Sequence, residues 1–233
     1  MLRLALVGYG RMGRAVAALA AERGHQVQTV IRSAENGGGA ALNRDRLGAV
    51  EAVLEFTRPE AAVSNLVRLA PLRIPVITGT TGWSARLGEV SRAFIEQRSA
   101  LLHSPNFSVG VQLFLRAARD VAGRFAGHAG FDGFIVETHH AAKLDAPSGT
   151  ALRLQTAARA ADPDRHYPIS SVRGGAMPGV HTLIFDAPEE TVRLEHEARG
   201  RQAFAAGALS AAEWLIGREG VFTFEEMLFG REP

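Results

Sequence analysis

Leu2-Arg3-Leu4-Ala5-Leu6-Val7-Gly8-Tyr9-Gly10-Arg11-Met12-Gly13 decides how the rest of the chain is read. A short apolar run stops at Gly8, and Arg11–Arg23 continues as an Ala- and Leu-rich helical stretch. Between them lies a G-x-G-x-x-G. Its first glycine permits a tight turn, its second lets backbone approach a pyrophosphate, and its third lets helix pack on strand. The N–H groups at the helix start can then hold phosphates. Gly-rich strand–helix turns also occur for structural reasons alone. Position at the head of a βαβ unit favours dinucleotide binding, with Gly8, Tyr9, Gly10, Arg11, Met12 and Gly13 as candidate cofactor contacts.

The alternation continues outward. Strands are expected at Gln26–Ile31, Ala52–Phe56, Pro75–Thr78 and Ala100–His103. Helices are expected at Ala40–Leu47 (short, after an ENGGG loop), Pro59–Leu69 and Ser84–Arg98. Such alternation predicts a parallel sheet with helices on both faces. The pattern then changes. A helix at Val109–Phe125 precedes a long strand at Phe131–His140, and a turn at Asp145–Gly149 opens a helix to about Ala161. Strand-like runs at Ile169–Arg173, Val180–Asp186 and Thr191–Ala198 suggest a mixed or antiparallel sheet. A helix at Gln202–Gly217 and a short apolar piece at Val221–Phe224 close the chain. The fold class is therefore α/β: a parallel-sheet domain, 1–105 with 204–233, and a smaller α+β domain, 106–203.

The 233 residues are 46% hydrophobic and 21% charged, an ordinary globular composition. The formal net charge is +2 and no run of like charge exists, so neither a nucleic-acid stripe nor a membrane patch is expected. No apolar stretch nears the roughly 20 residues that span a bilayer. The first residues lack the features of a secretory signal, and the expected compartment is the cytoplasm. Cysteine is absent, which excludes disulfides, Cys-bound metal and a thiolate nucleophile. No metal site is read from the sequence. Of the 26 basic residues, 25 are Arg and one, Lys143, is Lys. That singles out Lys143.

The end of the second strand bears on the cofactor. An acidic residue there would hydrogen-bond the ribose of NAD. The strand ends instead in Ile31-Arg32-Ser33, a fork donor and a hydroxyl that suit a 2′-phosphate, so NADPH is expected to be preferred over NADH. A solvated surface Arg is the plain alternative, and Glu35 could reach the ribose if the strand ended slightly later.

The densest chemistry is Glu137-Thr138-His139-His140-Ala141-Ala142-Lys143-Leu144-Asp145-Ala146-Pro147-Ser148-Gly149-Thr150. Adjacent His on a strand point to opposite faces, and so share no task unless the strand is ending there. Lys143 sits in a loop. Gly149 and Thr150 open a helix, a ready anion site. A positively biased pocket with a proton donor suits an acidic substrate.

This segment resembles the signature of the 4-hydroxy-tetrahydrodipicolinate reductase (dihydrodipicolinate reductase) family. Phe56-Thr57-Arg58-Pro59-Glu60, Thr78-Gly79-Thr80-Thr81-Gly82, Ser104-Pro105-Asn106-Phe107-Ser108-Val109-Gly110 and Arg173-Gly174-Gly175-Ala176-Met177-Pro178-Gly179-Val180-His181 resemble further family blocks, in family order. The resemblance implies a Rossmann-type domain closed by the C-terminal segment and an inserted sheet domain that forms a homotetramer. The implied activity is NAD(P)H-dependent reduction of a small cyclic dicarboxylate in diaminopimelate and lysine biosynthesis. By position, His139 resembles the proton donor/acceptor and Lys143 the general acid, while His140, Gly149 and Thr150 resemble substrate contacts. Gly79, Thr80 and Thr81, with Ser104, Pro105, Asn106 and Phe107, resemble cofactor-contacting turns. Two departures stand out: Arg32 replaces the acidic residue that the family often carries, and the span between the second and third strands is short. A homoserine-dehydrogenase-like oxidoreductase would share the glycine loop but not the His-His-x-x-Lys block. A non-catalytic nucleotide sensor would not need Lys143.

Overall fold

The computed structural model describes residues 1–230. The chain forms two compact units: Met1–Val109 joined by the chain from Arg201 onward, and Gly110–Gly200. These divisions differ by a few residues from the expected 105/106 and 203/204. The turn after His103, closed by a bond from Ser104 Oγ to the Asn106 carbonyl, stays with the first unit, as does the first turn of the helix from Gln202. The last three residues of the expected 204–233 segment lie outside the described residues.

In the first unit the strands are β1 (Arg3–Val7), β2 (Gln26–Ile31), β3 (Ala52–Glu55), β4 (Val76–Thr78) and β5 (Ala100–His103). The helices are α1 (Arg11–Glu22), α2 (Arg44–Leu47), α3 (Pro59–Leu69) and α4 (Leu87–Glu96). All strand pairs are parallel, and β1 lies between β2 and β3. β3 and β4 are buried along their whole length, as expected of strands covered on both faces. Period-two alternation divides them. Ala5, Val7, Val53, Val76 and Leu101 join the apolar cluster with Val63 and Leu66 of α3 and Val90 and Phe94 of α4. Leu4, Leu6, Leu54, Ile77 and Leu102 join the opposite cluster with Val16 of α1.

Two expectations are corrected here. The stretch Ala40–Leu47 is helical only at Arg44–Leu47, because Gly38 and Gly39 take positive φ and Asn43 caps the turn by accepting from Arg46 N–H. Around the expected ENGGG loop, Ser33–Glu35 and Gly37–Gly39 are 3₁₀ turns. The Ser84–Arg98 helix opens as a 3₁₀ turn at Ser84–Arg86 and ends at Glu96, with Arg98 left-handed at φ 51°.

In the second unit α5 (Val109–Phe125) and α6 (Gly149–Ala161) accompany a four-stranded sheet. β6 (Asp132–His139) pairs parallel with β7 (Ile169–Arg173) and antiparallel with β8 (Val180–Asp186), which pairs antiparallel with β9 (Thr191–Glu197). Ile135, Leu183 and Phe185 pack with Val111, Phe114, Leu115 and Ala118 of α5 and Leu154 and Ala158 of α6.

The returning chain adds α7 (Gln202–Leu215), β10 (Gly220–Thr223) and α8 (Phe224–Phe229) to the first unit. The apolar piece at 221–224 is thus a parallel edge strand beside β5 followed by a short helix. Thr223 and Glu226 form a capping box that the sequence reading did not use.

Candidate active site

In the first unit, the expected cofactor residues gather at the carboxyl ends of parallel strands. Gly8 follows β1, Arg32 and Ser33 follow β2, Gly79, Thr80 and Thr81 follow β4, and Ser104 to Phe107 follow β5. β1, flanked by β2 on one side and β3 on the other, marks the point where strand order reverses, the usual place for a ligand in an open α/β sheet. Gly8 has φ +91°, and a Cβ there would collide with the Phe56 carbonyl. A Cβ at Gly13 would collide with the Gly8 carbonyl, whereas one at Gly10 would meet nothing within 4 Å. The turn is therefore shut on its sheet side and open above Gly10. α1 begins with no side-chain cap and no acidic residue in its first turn, so its leading N–H groups suit an anion. These residues fit a dinucleotide pyrophosphate.

Arg32 lies beyond the strand end, with its guanidinium 5.2 Å from the centre of the Tyr9 ring. Glu35 lies 3.6 Å from Arg32 and accepts from Arg46 at 3.0 Å. The alternative ribose ligand is thus engaged by two cations, and Arg46 is a basic neighbour that sequence spacing did not indicate. A cavity of about 270 Å³ opens beside Thr80, Thr81, Trp83, His103, Ser104 and Pro105. His103, also missed from the sequence, stacks edge-on against Trp83 with ring centres 5.9 Å apart. Burial holds its imidazole below the ordinary pKa, opposed by Glu226.

Under these turns sits Glu55, completely buried at the end of β3. It accepts from Thr78 Oγ1 at 2.6 Å, Thr80 Oγ1 at 2.8 Å and Asn65 Nδ2 at 3.4 Å, and from the Thr57 hydroxyl.

The second unit holds the expected catalytic residues. His139 is the last residue of β6 and His140 lies just beyond it, which is the strand-end case foreseen for an adjacent pair. Period two places Ile135, Glu137 and His139 on one buried face, so a core face changes into a polar one. Sheet register supplies the partners. His181 stands opposite Glu137 on β8, while Ser171 and Arg173 stand opposite Glu137 and His139 on β7.

His139 Nδ1–H donates to Glu137 Oε2. Glu137 Oε1 accepts from Arg173 Nη2 at 2.6 Å and from Ser148 N–H at 3.3 Å. Burial alone would raise the pKa of Glu137. Hydrogen bonds from Arg173, Ser171 and His139 outweigh it and lower it to about 2. Burial likewise pushes the His139 imidazole below its ordinary pKa, against the pull of Glu137. The His181 ring lies edge-on to His139 at 5.0 Å, and burial followed by repulsion from His139 takes it down to about 4. Donor atoms of Glu137, His139 and His181 lie within 4.8 Å of one another. The carboxylate's charge is already met by Arg173 and its second oxygen by His139, while His181 Nε2 lies against Ser148 Oγ.

Lys143 follows in the loop, its Nζ 2.7 and 2.8 Å from the two carboxylate oxygens of Asp145. That ammonium is the main cause that holds Asp145 below the usual carboxylate range. Ser148 caps α6, accepting from Ala151 N–H at 3.2 Å, and its Oγ lies 3.0 Å from His181 Nε2. Gly149 is exposed and Thr150 half-buried in the first turn of this helix, which has no acidic residue. Glu137, Arg173, Ser148 and His181 all fall inside sequence blocks quoted above, but no role was read for them.

Residues 2–107 match the family model for the N-terminal part of dihydrodipicolinate reductase, and residues 110–228 that for its C-terminal part. The chain is 32% identical over 239 residues to the 4-hydroxy-tetrahydrodipicolinate reductase of Christiangramia forsetii, covering 97% of this chain and 98% of that protein. It is 36% identical over 268 residues to the reductase of the same name from Thiobacillus denitrificans, with the same coverage. The dipicolinate-bound dihydrodipicolinate reductase of Paenisporosarcina sp. TG-14 superposes with a TM-score of 0.80 at 21% identity, covering 97% of this chain and 99% of that one, and shows the shared fold. With both halves matched and relatives aligned end to end, the chain belongs to the dihydrodipicolinate reductase family.

Proposed function

We propose that this chain reduces 4-hydroxy-tetrahydrodipicolinate to tetrahydrodipicolinate with NAD(P)H, as a step of diaminopimelate and lysine biosynthesis. The observation that carries the reading is the arrangement of His139, Lys143 and the capped start of α6 within one unit. When bound, the nicotinamide supplies a hydride to a conjugated ring carbon of the substrate. The bare N-terminus of α1 holds the pyrophosphate. N–H groups of Gly149 and Thr150, with the Thr150 hydroxyl, hold one substrate carboxylate, and His140 contributes a further contact. The substrate's 4-hydroxyl leaves as water to open the conjugated system, and Lys143 pairs with a carboxylate and gives a proton to the enamine carbon next to the one that takes the hydride. An arginine there could pair but not donate, because its pKa exceeds about 12. His139 gives or takes a proton through Nε2, since Nδ1 is committed to Glu137.

We further propose that NADPH is the better hydride donor. Arg32 and Ser33 at the end of β2 suit a 2′-phosphate, and the attachment of Glu35 to Arg32 and Arg46 supports this. Assembly as a homotetramer through the second unit is supported by the exposed Val172 and Val192 on edge strands β7 and β9. Among the described residues no helix is long and apolar enough to cross a membrane, and the cytoplasm is the proposed compartment. Mixing the purified chain with freshly generated substrate and either cofactor, and following loss of reduced-nicotinamide absorbance, tests the activity. Oxidation that does not depend on the substrate would refute it.

A further inference from the structure

We propose that Glu137 is a positioning residue for the reaction, holding His139 in its Nδ1–H form and linking it through Arg173 to the loop that carries Lys143. The proposal rests on the reductase reading above.

Glu137 is completely buried and shares the inner face of β6 with His139, two residues on. A buried carboxylate needs a counter-charge, and Arg173 Nη2 at 2.6 Å supplies it. That leaves Oε2 for the His139 Nδ1–H. A neutral imidazole carries one ring proton, so this bond leaves Nε2 with its lone pair. Gly179 lies against that side of the ring: its φ is +140°, and a Cβ there would sit 3.0 Å from Nε2 and 3.2 Å from Cδ2. A glycine keeps this approach to Nε2 clear.

Arg173 does more than neutralise Glu137. The same Nη2 donates to the Asp145 carbonyl at 2.6 Å, and the Asp145 carboxylate holds Lys143 Nζ. A continuous path of bonds therefore runs His139–Glu137–Arg173–Asp145–Lys143. It fixes the two proton-carrying groups in one frame, which a carboxylate needed only for packing would not require.

The groups that face His139 set the sign of the test. Glu137 raises its pKa; burial, Lys143 and Arg173 lower it. His181 lies edge-on. Removing the Glu137 charge therefore moves His139 further down. In Glu137→Gln, kcat should fall about tenfold or more, and NADPH affinity should stay within about twofold. The limb of the kcat–pH profile governed by His139 should move to lower pH. An NMR titration of the His139 ring without substrate should move the same way. On a His139→Ala background the substitution should change kcat little further. Equal losses in both backgrounds, or an unmoved His139 titration, would overturn the proposal. The titration needs no turnover, so it separates this failure from failure of the reductase reading, which appears as inactivity of the unmutated chain. Should the Gln variant not fold with Arg173 left uncompensated, Glu137→Asp keeps the charge but withdraws it from Nδ1; kcat should still fall, and the His139 titration should move down by less than in the Gln variant, whereas an unmoved titration would overturn the proposal.

Discussion

Two buried carboxylates, Glu55 in the first unit and Glu137 in the second, meet the same physical demand in different ways. Both are completely buried, and both lie on inner strands of their sheets. Each must replace lost hydration with hydrogen bonds. Glu55 does so with neutral donors, the hydroxyls of Thr57, Thr78 and Thr80 and the amide of Asn65. Glu137 does so with a guanidinium, a backbone N–H and an imidazole. Hydroxyl and amide donors do not change charge near neutral pH, so Glu55 is a fixed brace beneath the turns that follow β3 and β4. An imidazole does change charge there. The difference separates a carboxylate braced by neutral donors from one held by a guanidinium and an imidazole that titrates.

The largest expected effect breaks the second unit's side of that contrast. Lys143→Ala should lower kcat about 10²-fold or more while leaving NADPH binding nearly intact. Lys143→Arg should not restore it, because the charge returns without a transferable proton. Full activity in the Arg variant would reduce Lys143 to carboxylate pairing. Glu55→Leu attacks the other side. It strands several buried donors and should cost about 2 kcal/mol in denaturant unfolding. NADPH affinity should weaken with it, since Thr80 loses its anchor.

Acid sharpens the contrast further. His181 is lowered from its ordinary value near 6.5 to about 4, so the unfolded chain binds its proton first. Stability should therefore decline as pH falls from about 6.5 toward 4. Glu137, lowered from 4.5 to about 2, should extend the decline from pH 4.5 toward 2, because its stabilising ionised form is lost as pH falls through the folded value. Thermal midpoints across this range check both, and His181→Gln should flatten only the upper part.

Two smaller effects separate the ligands. Thr150→Val keeps the side-chain shape but deletes a donor, and should raise the substrate KM about tenfold with NADPH affinity unchanged. A loss of cofactor affinity instead would reassign that turn. Arg32→Ala should remove a several-fold NADPH preference and barely touch NADH. Arg32 is well exposed, which limits such a pair to about 1 kcal/mol and makes it shrink with added salt. If the unmutated chain binds NADH tenfold more tightly, another group reads the ribose.

The sequence alone determined the strand–helix alternation, the glycine turn from Gly8 to Gly13 and the start of α6 at Ser148-Gly149-Thr150. Each is a short-range pattern: an apolar period, a glycine-rich strand–helix turn, and a Pro-Ser-Gly-Thr turn leading into a helix. The family resemblance likewise rested on contiguous blocks. Where local signals were weak, boundaries moved, as at α2, where glycines and an Asn cap left a single turn. Only the tertiary structure decided that Arg173 and His181 would flank Glu137 and His139, because that depends on the register of β7 and β8 against β6. One residue of slip would turn each of those side chains to the other face. It also decided that Glu35 would lie between Arg32 and Arg46, and that Glu55 would brace turns from two other strands. Burial in a shared core selects the pairings around Glu55 and Glu137, since a carboxylate away from water survives only where the whole fold delivers its donors.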